Sequence, residues 1–87
     1  MNDTKLRMVK LVLHWFWDPI GVRGIKEAVD EYDSYAPAVL EMLERASLDR
    51  EIAAYLGYVE TELMGLNAHK RDEDVAALLR ELHALFP

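Results

Sequence analysis

Apolar residues recur along the start of the chain with the period of a helix. Leu6, Val9, Leu13 and Phe16 follow an i, i+3, i+7, i+10 spacing, which predicts one buried face of a helix over residues 4–17. A second apolar row of the same helix is formed by Met8, Leu11, Val12 and Trp15. A helix that is apolar around most of its circumference is surrounded by other helices or buries a face in an oligomer. We therefore predict that it is the central helix of the fold.

A long connection follows this helix. Asp18-Pro19 ends the helix, because proline pushes the preceding residue out of the helical region. Residues 18–34 include Gly21 and Gly24, which tolerate positive φ angles, and a short helical turn is predicted over 25–29. The apolar residues of the connection predict that it folds back over the core. They are Ile20, Val22, Ile25 and Val29.

The same periodicity predicts three more helices. The second begins near Ser34, with Asp33 or Ser34 as its cap, and the third begins at Ser47 or Asp49. The third helix continues to residue 64 with a buried row, and Gly65 ends it. That row is Ile52, Leu56, Val59 and Leu63.

Asp72 is predicted to cap the fourth helix, whose apolar residues run from Val75 to Phe86. No alternating strand pattern occurs in the sequence. The predicted fold is all-α: one domain over residues 1–87, built as a compact bundle of about four helices with one long loop after the first.

Composition and charge narrow the functional classes. The absence of cysteine excludes disulfides and thiolate metal sites, and no stretch approaches the roughly 20 apolar residues of a membrane span. The apolar run 11–17 is too short for a secretion signal and is interrupted by His14, so a cytoplasmic location without membrane contact is expected. Net charge is −6, and residues 30–64 hold nine acids against two bases. This charge disfavours nucleic-acid binding and favours a basic protein partner, although acidic helices also serve solubility alone.

The candidate binding residues lie between the first two helices. Carboxylates beside amphipathic rings suit lysine and arginine side chains, through ion pairing and ring stacking. The predicted partner-binding residues are Trp17, Asp18, Asp30, Glu31, Tyr32, Asp33 and Tyr35. The structural alternative is that Asp30 and Asp33 only cap a helix and pair with Arg23 or Lys26, while the tyrosines pack inward.

The sequence predicts no catalytic residue, cofactor or metal site. His14, His69 and His83 lie on separate elements without the i, i+4 or Glu-x-x-His spacing of metal sites in bundles. The acidic cluster lacks the spacing of a calcium loop. Ser34 and Ser47 are the only serines, and neither has a neighbouring histidine or a glycine elbow.

Two strings of the sequence carry a resemblance to a known group. Residues 17–21 read WDPIG, residues 30–33 read DEYD, and the third helix closes at residues 64–66 with MGL. Over roughly residues 10–66 the chain resembles small bacterial proteins of unknown function, including the YugE-like family. The resemblance implies a small helical bundle in a bacterial cytoplasm, without an established activity or active site.

Three hypotheses of function follow. The first is a non-enzymatic interaction module that binds a basic protein, with an immunity or antitoxin-like inhibitor as one concrete version. The second is a small ligand-binding or enzymatic bundle, with Asp18, Asp30 and Asp33 as acid or base groups around a pocket lined by Trp17 and Tyr32. The third is a structural homo-oligomer that associates through the apolar first helix.

Overall fold

Four α-helices form the fold in the computed structural model, which describes residues 3–68 and 70–86. They are α1 (Asp3–Val12), α2 (Ala36–Glu44), α3 (Asp49–Tyr58) and α4 (Arg71–Ala84). Short 3₁₀ turns at Lys26–Ala28 and Asp33–Tyr35 interrupt the connection between α1 and α2. The described ranges contain no strand, so the predicted all-α bundle with one long loop after the first helix is confirmed.

Two of the helices continue into a turn of π-helix. Leu13–Trp17 extends α1 and Val59–Leu63 extends α3. In each turn the closing bond spans five residues: the Asp18 N–H donates to the Leu13 carbonyl at 3.0 Å, and the Met64 N–H donates to the Val59 carbonyl at 2.9 Å. A π-turn widens the helix, so side chains after it face directions that a regular 3.6-residue period does not predict.

Helix α4 is the element that contacts each of the other three helices. Of the two alternatives predicted for the first helix, enclosure by other helices on all sides is wrong, because Leu11 and Trp15 are exposed, whereas burial of this face in an oligomer stays a prediction. The interior is built from residues of all four helices and one residue of the loop. Its largest fully buried apolar or aromatic side chains are Trp17, Tyr32, Leu13, Ile52, Leu56 and Leu79.

The predicted helix ends agree with the structure better than the predicted caps. Asp18 ends the first helix with a left-handed φ of 38°, and Gly65 follows the third with a φ of 71°. By contrast, α2 and α4 have no side-chain cap, and Glu51 supplies the cap of α3 by accepting the Leu48 N–H at 2.7 Å. Asp72, predicted as the cap of α4, turns inward instead.

Polar contacts join the helices at their surfaces. Glu44 on α2 accepts from Lys5 on α1 at 3.5 Å and pairs with His83 on α4 at 2.9 Å. The hydrogen bond to His83, together with the charge of Lys5, lowers the pKa of the Glu44 carboxyl. Arg80 and Asp49 form an ion pair between α4 and the start of α3.

Candidate functional site

The Asp18 carboxylate organises the first half of the long loop. Its oxygens accept the Val22 N–H at 2.7 Å, the Arg23 N–H at 3.1 Å and the Tyr32 hydroxyl at 2.9 Å. The Arg23 guanidinium lies 3.9 Å from the same carboxylate. Because Asp18 is buried, these donors replace water around its charge. Asp18 therefore begins the turn, and its carboxylate also holds the end of the turn in place.

Tyr32 anchors the far end of the loop in the core. Its hydroxyl accepts the Ile20 N–H at 3.1 Å while donating to Asp18. Its ring packs edge-on against Trp17, with 5.3 Å between the ring centroids. Burial, with the neighbouring Asp18 carboxylate, raises the pKa of the Tyr32 phenol, so it stays a neutral donor. Tyr32 ties both sides of the loop to the end of the first helix.

The structure divides the predicted binding residues into an interior set and a surface set. Trp17, Asp18 and Tyr32 are buried, so they support the loop from the interior and do not form part of the exposed surface. Asp30 and Glu31 are exposed.

Asp33 and Tyr35, the other two predicted binding residues, are half-buried. The Asp33 carboxylate lies 3.8 Å from the Lys10 ammonium. Tyr35 packs edge-on against Trp17 at 6.2 Å. Both tyrosine rings therefore pack inward, as the structural alternative predicts. The ion pairs predicted by that alternative are wrong, because Asp33 pairs with Lys10 and Arg23 pairs with Asp18.

The acids proposed for an enzymatic pocket do not converge. Asp18 is enclosed by its loop donors, and Trp17 and Tyr32 fill the interior. Asp30 and Asp33 instead line a cleft of about 240 Å³ between the first helix and the loop. The remaining lining residues are Arg7, Lys10, Leu11, His14 and Val29.

His14 forms the inner wall of this cleft and is only 2% exposed. Its Nε2 accepts the Gly24 N–H at 3.1 Å. The Trp15 ring stands edge-on to the imidazole at 4.9 Å and also covers Gly24. In the sequence, Arg7, Lys10 and His14 follow an i, i+3, i+7 spacing on one polar stripe of the helix, but this periodicity does not reveal that His14 holds the loop.

The apolar loop residues face outward, contrary to the prediction that they cover the core. Ile20, Ile25 and Val29 are exposed, and only Val22 is partly buried. The loop is held down by hydrogen bonds to Asp18 and His14, so it does not need apolar burial to stay in place. Together with Leu11 and Trp15, these residues leave an apolar surface beside the cleft.

A buried polar cluster is the feature that sequence analysis misses. The Trp17 Nε1–H donates to Asp72 Oδ1 at 3.0 Å, and the fully buried Glu60 carboxyl interacts with Asp72. Burial, reinforced by Asp72, raises the pKa of the Glu60 carboxyl to about 8. Burial therefore favours the protonated form of Glu60. In the sequence, Glu60 is marked only as an acid that directly follows Val59, a member of the apolar row. A regular helix would place such an acid near the surface.

Asp72 also lines a second cleft, of about 530 Å³, between α3 and the start of α4. Its floor is made of small side chains, including Gly57, where an added Cβ would lie 3.6 Å from Asp72 Oδ2. No group of three potential metal ligands occurs among the described residues, and His69 lies outside them. No described helix is long and apolar enough to cross a bilayer.

Comparisons of the chain with protein-family models, with curated proteins and with solved structures find no match. The resemblance to the YugE-like family stays a prediction.

Proposed function

We propose that the protein is a non-enzymatic interaction module that binds a basic protein partner. The binding surface in this proposal is the interaction face, defined as Leu11, Trp15, Val29, Asp30 and Glu31. The observation that carries the proposal is Trp15, an indole 49% exposed at the end of the first helix and packed against His14, which lines the cleft together with Asp30. Tryptophan is among the residues that contribute most to binding at protein interfaces.

The apolar part of the interaction face is continuous with the cleft. Leu11 and Val29 line the cleft from opposite sides, and Trp15 packs over Gly24 and His14 next to it. An exposed apolar patch next to polar residues is typical of an interaction site in a soluble protein. This arrangement supports a partner that brings an apolar side chain to the groove.

The acidic part of the face supports a cationic partner. Asp30 and Glu31 are exposed, and neither forms an ion pair with another described residue. Other acids of the 30–64 segment are already engaged within the fold, as Glu41 is with Arg45 and Glu44 with Lys5. Asp30 therefore leaves uncompensated negative charge at the edge of the cleft, and Glu31 follows it directly in the loop.

The interaction face is presented by a preorganised loop. Asp18 fixes the turn before it, Tyr32 fixes the chain after it, and His14 holds Gly24 in the middle. A loop that is already ordered loses little conformational entropy on binding, which favours affinity. The buried members of the predicted site thus serve binding indirectly, by holding Asp30 and Glu31 in position.

An inhibitor that covers a cationic toxin, as immunity proteins and antitoxins do, is one concrete version of this function. The overall charge of −6 and the small size support this version. The exposed Leu11 and Trp15 also support a second candidate, a homo-oligomer that pairs through the first helix. Light scattering at micromolar concentration separates the two, because only the homo-oligomer gives a dimer or larger mass without a partner.

Affinity capture from a bacterial lysate with matched variants tests the main proposal. The test variants are Trp15→Ala and the double variant Asp30→Asn/Glu31→Gln. The matched controls are Tyr58→Ala, an equally exposed aromatic on α3, and Glu73→Gln/Asp74→Asn, two consecutive exposed acids on α4. Captured proteins are quantified at about 0.1 M and about 1 M salt, between which the screening length falls from about 10 Å to about 3 Å.

We expect a basic protein that is captured at low salt, reduced at high salt, lost with both test variants and kept with both controls. Urea unfolding of each variant shows that the loss is not a loss of fold, since surface substitutions change stability by only about 0.5 kcal/mol. Capture that is indifferent to Trp15 and to the two acids would refute the proposed interaction face.

A further inference from the structure

His14 is bound to the loop by a bond that requires one protonation state. Its Nε2 accepts the Gly24 N–H at 3.1 Å, so Nε2 carries no proton and a neutral ring carries its proton on Nδ1. Nδ1 is buried and has no hydrogen-bond partner among the described residues. Protonation of the ring turns Nε2 into a donor that faces another donor. The bond to Gly24 is then lost.

The charges around the ring come from both elements that pack against it. Arg7 and Lys10 lie on the same helix, and Asp30 and Asp33 come from the loop. Lys10 and Asp33 lie 3.8 Å apart, which leaves one base and one acid to act on the imidazole. The hydrogen bond to Gly24 is the polar contact of the ring that protonation removes.

The loop is attached to the rest of the fold at two other points, one on each side of Gly24. The Asp18 carboxylate holds Val22 and Arg23, and the buried Tyr32 fixes the chain further on. Loss of the Gly24 bond therefore frees residues 24–31, which lie between these two attachment points. The rest of the loop stays attached. Gly24 has a φ of 79°, a conformation that glycine leaves at little cost once the bond is gone.

We infer that His14 is a pH-sensitive latch that holds residues 24–31 against the first helix when its imidazole is neutral and releases them when it is protonated. Acidification drives the protonation of an imidazole and is therefore the signal that opens the latch. The released segment carries Val29, Asp30 and Glu31. If the proposed function holds, acidification also weakens partner binding, but the latch itself does not depend on that function.

Nuclear magnetic resonance of the isolated, ¹⁵N-labelled chain tests the latch without any partner. The ring nitrogens of His14 report the tautomer, and the Gly24 amide reports the bond. On lowering the pH from about 8 to about 5, we expect the Gly24 signal to move together with His14. By linkage of one proton, the constant for opening residues 24–31 rises by up to about tenfold per pH unit. Signals from α3 and α4 away from His83, Glu60 and Asp72 stay unchanged.

Two variants separate the latch from general acid effects. His14→Gln keeps an acceptor for the Gly24 N–H but does not titrate, so its Gly24 signal is expected to be independent of pH over this range. His83→Gln removes a histidine that pairs with Glu44 and is expected to leave the Gly24 transition intact. A neutral His14 ring with its proton on Nε2, or a Gly24 signal that does not move in the natural chain, would overturn the inference. The tautomer measurement decides the matter even if His14→Gln fails to fold.

Discussion

The indole Nε1–H of Trp17 donates a 3.0 Å hydrogen bond to Asp72 Oδ1, joining residues 55 positions apart in the interior. Trp17 closes the first π-turn, Asp72 lies in the first turn of α4, and Glu60 reaches the same cluster from the second π-turn. Through Asp72, this bond and the interaction of Glu60 bring both π-turns together at the start of α4. Three segments that are distant in sequence depend on it for their packing.

The two tryptophans provide a matched test of this interior contact. Trp17 is fully buried, whereas Trp15, two residues earlier on the same helix, is 49% exposed. Trp17→Ala is expected to lower the free energy of unfolding by about 3 to 5 kcal/mol, because it opens a cavity and removes the donor to Asp72. Trp15→Ala is expected to change it by about 0.5 kcal/mol or less. Urea unfolding followed by circular dichroism measures both, and similar midpoints for the two variants would contradict the burial assignment.

Much of the fold follows from periodicity and from a few chain-breaking residues. Pro19, Gly21, Gly24 and Gly65 act where the sequence indicates, either ending a helix or adopting positive φ. The number of helices and the long loop follow from the apolar spacing. These features depend on local backbone preferences, which a sequence carries directly.

The candidate site is less predictable because its register depends on the two π-turns. A regular helix places Leu63 in the buried row with Val59, but the π-turn places Leu63 outside and leaves Glu60 inside. In the π-turn at the end of the first helix, His14 and Trp17 are buried and Trp15 is exposed, and only His14 departs from the position that a regular period gives it. These shifts depend on tertiary contacts such as the bond between Trp17 and Asp72, which local periodicity does not contain.

The Tyr32 hydroxyl is expected to stabilise the loop through its two hydrogen bonds. Tyr32→Phe keeps the ring in the core but leaves the Ile20 N–H and the Asp18 carboxylate each short of one partner. We expect a loss of about 1 to 3 kcal/mol in the free energy of unfolding. Tyr58→Phe, at an exposed position, is the control and is expected to be nearly neutral. Chemical denaturation compares the variants, and equal stabilities would show that the hydroxyl contributes nothing.

The π-turn at the end of the third helix changes which leucines are buried, so the expected effects of substitution differ from those of a regular helix. Leu56 is fully buried and Leu63 is 56% exposed, although a regular helix would bury both. Leu56→Ala is expected to cost about 2 to 5 kcal/mol, and Leu63→Ala about 0.5 kcal/mol or less. Thermal and urea unfolding of the pair test the π-turn itself. A large loss with Leu63→Ala would indicate that the helix continues with regular geometry.

The raised pKa of the Glu60 carboxyl makes the free energy of unfolding depend on pH. Its pKa rises from 4.5 in an ordinary environment to about 8 in the fold, first because of burial and then because of Asp72. Between these two values the folded chain holds a proton that the unfolded chain releases. The free energy of unfolding therefore falls as pH rises through this window, by up to about 1.4 kcal/mol per pH unit from this group. Above about pH 8 this contribution is fully lost.

Glu60→Gln replaces the protonated carboxyl by a neutral group of similar shape, so it removes this dependence. We expect the stability of the variant relative to the natural chain to increase from pH 5 to pH 8, since the glutamine never ionises beside Asp72. Glu62→Gln, an exposed neighbour in the same π-turn, is the control and should show a constant difference. Urea unfolding of all three chains at each pH provides the comparison, in which titrations common to the chains cancel. A Glu60→Gln difference that does not change with pH would mean that Glu60 is already ionised in the folded protein.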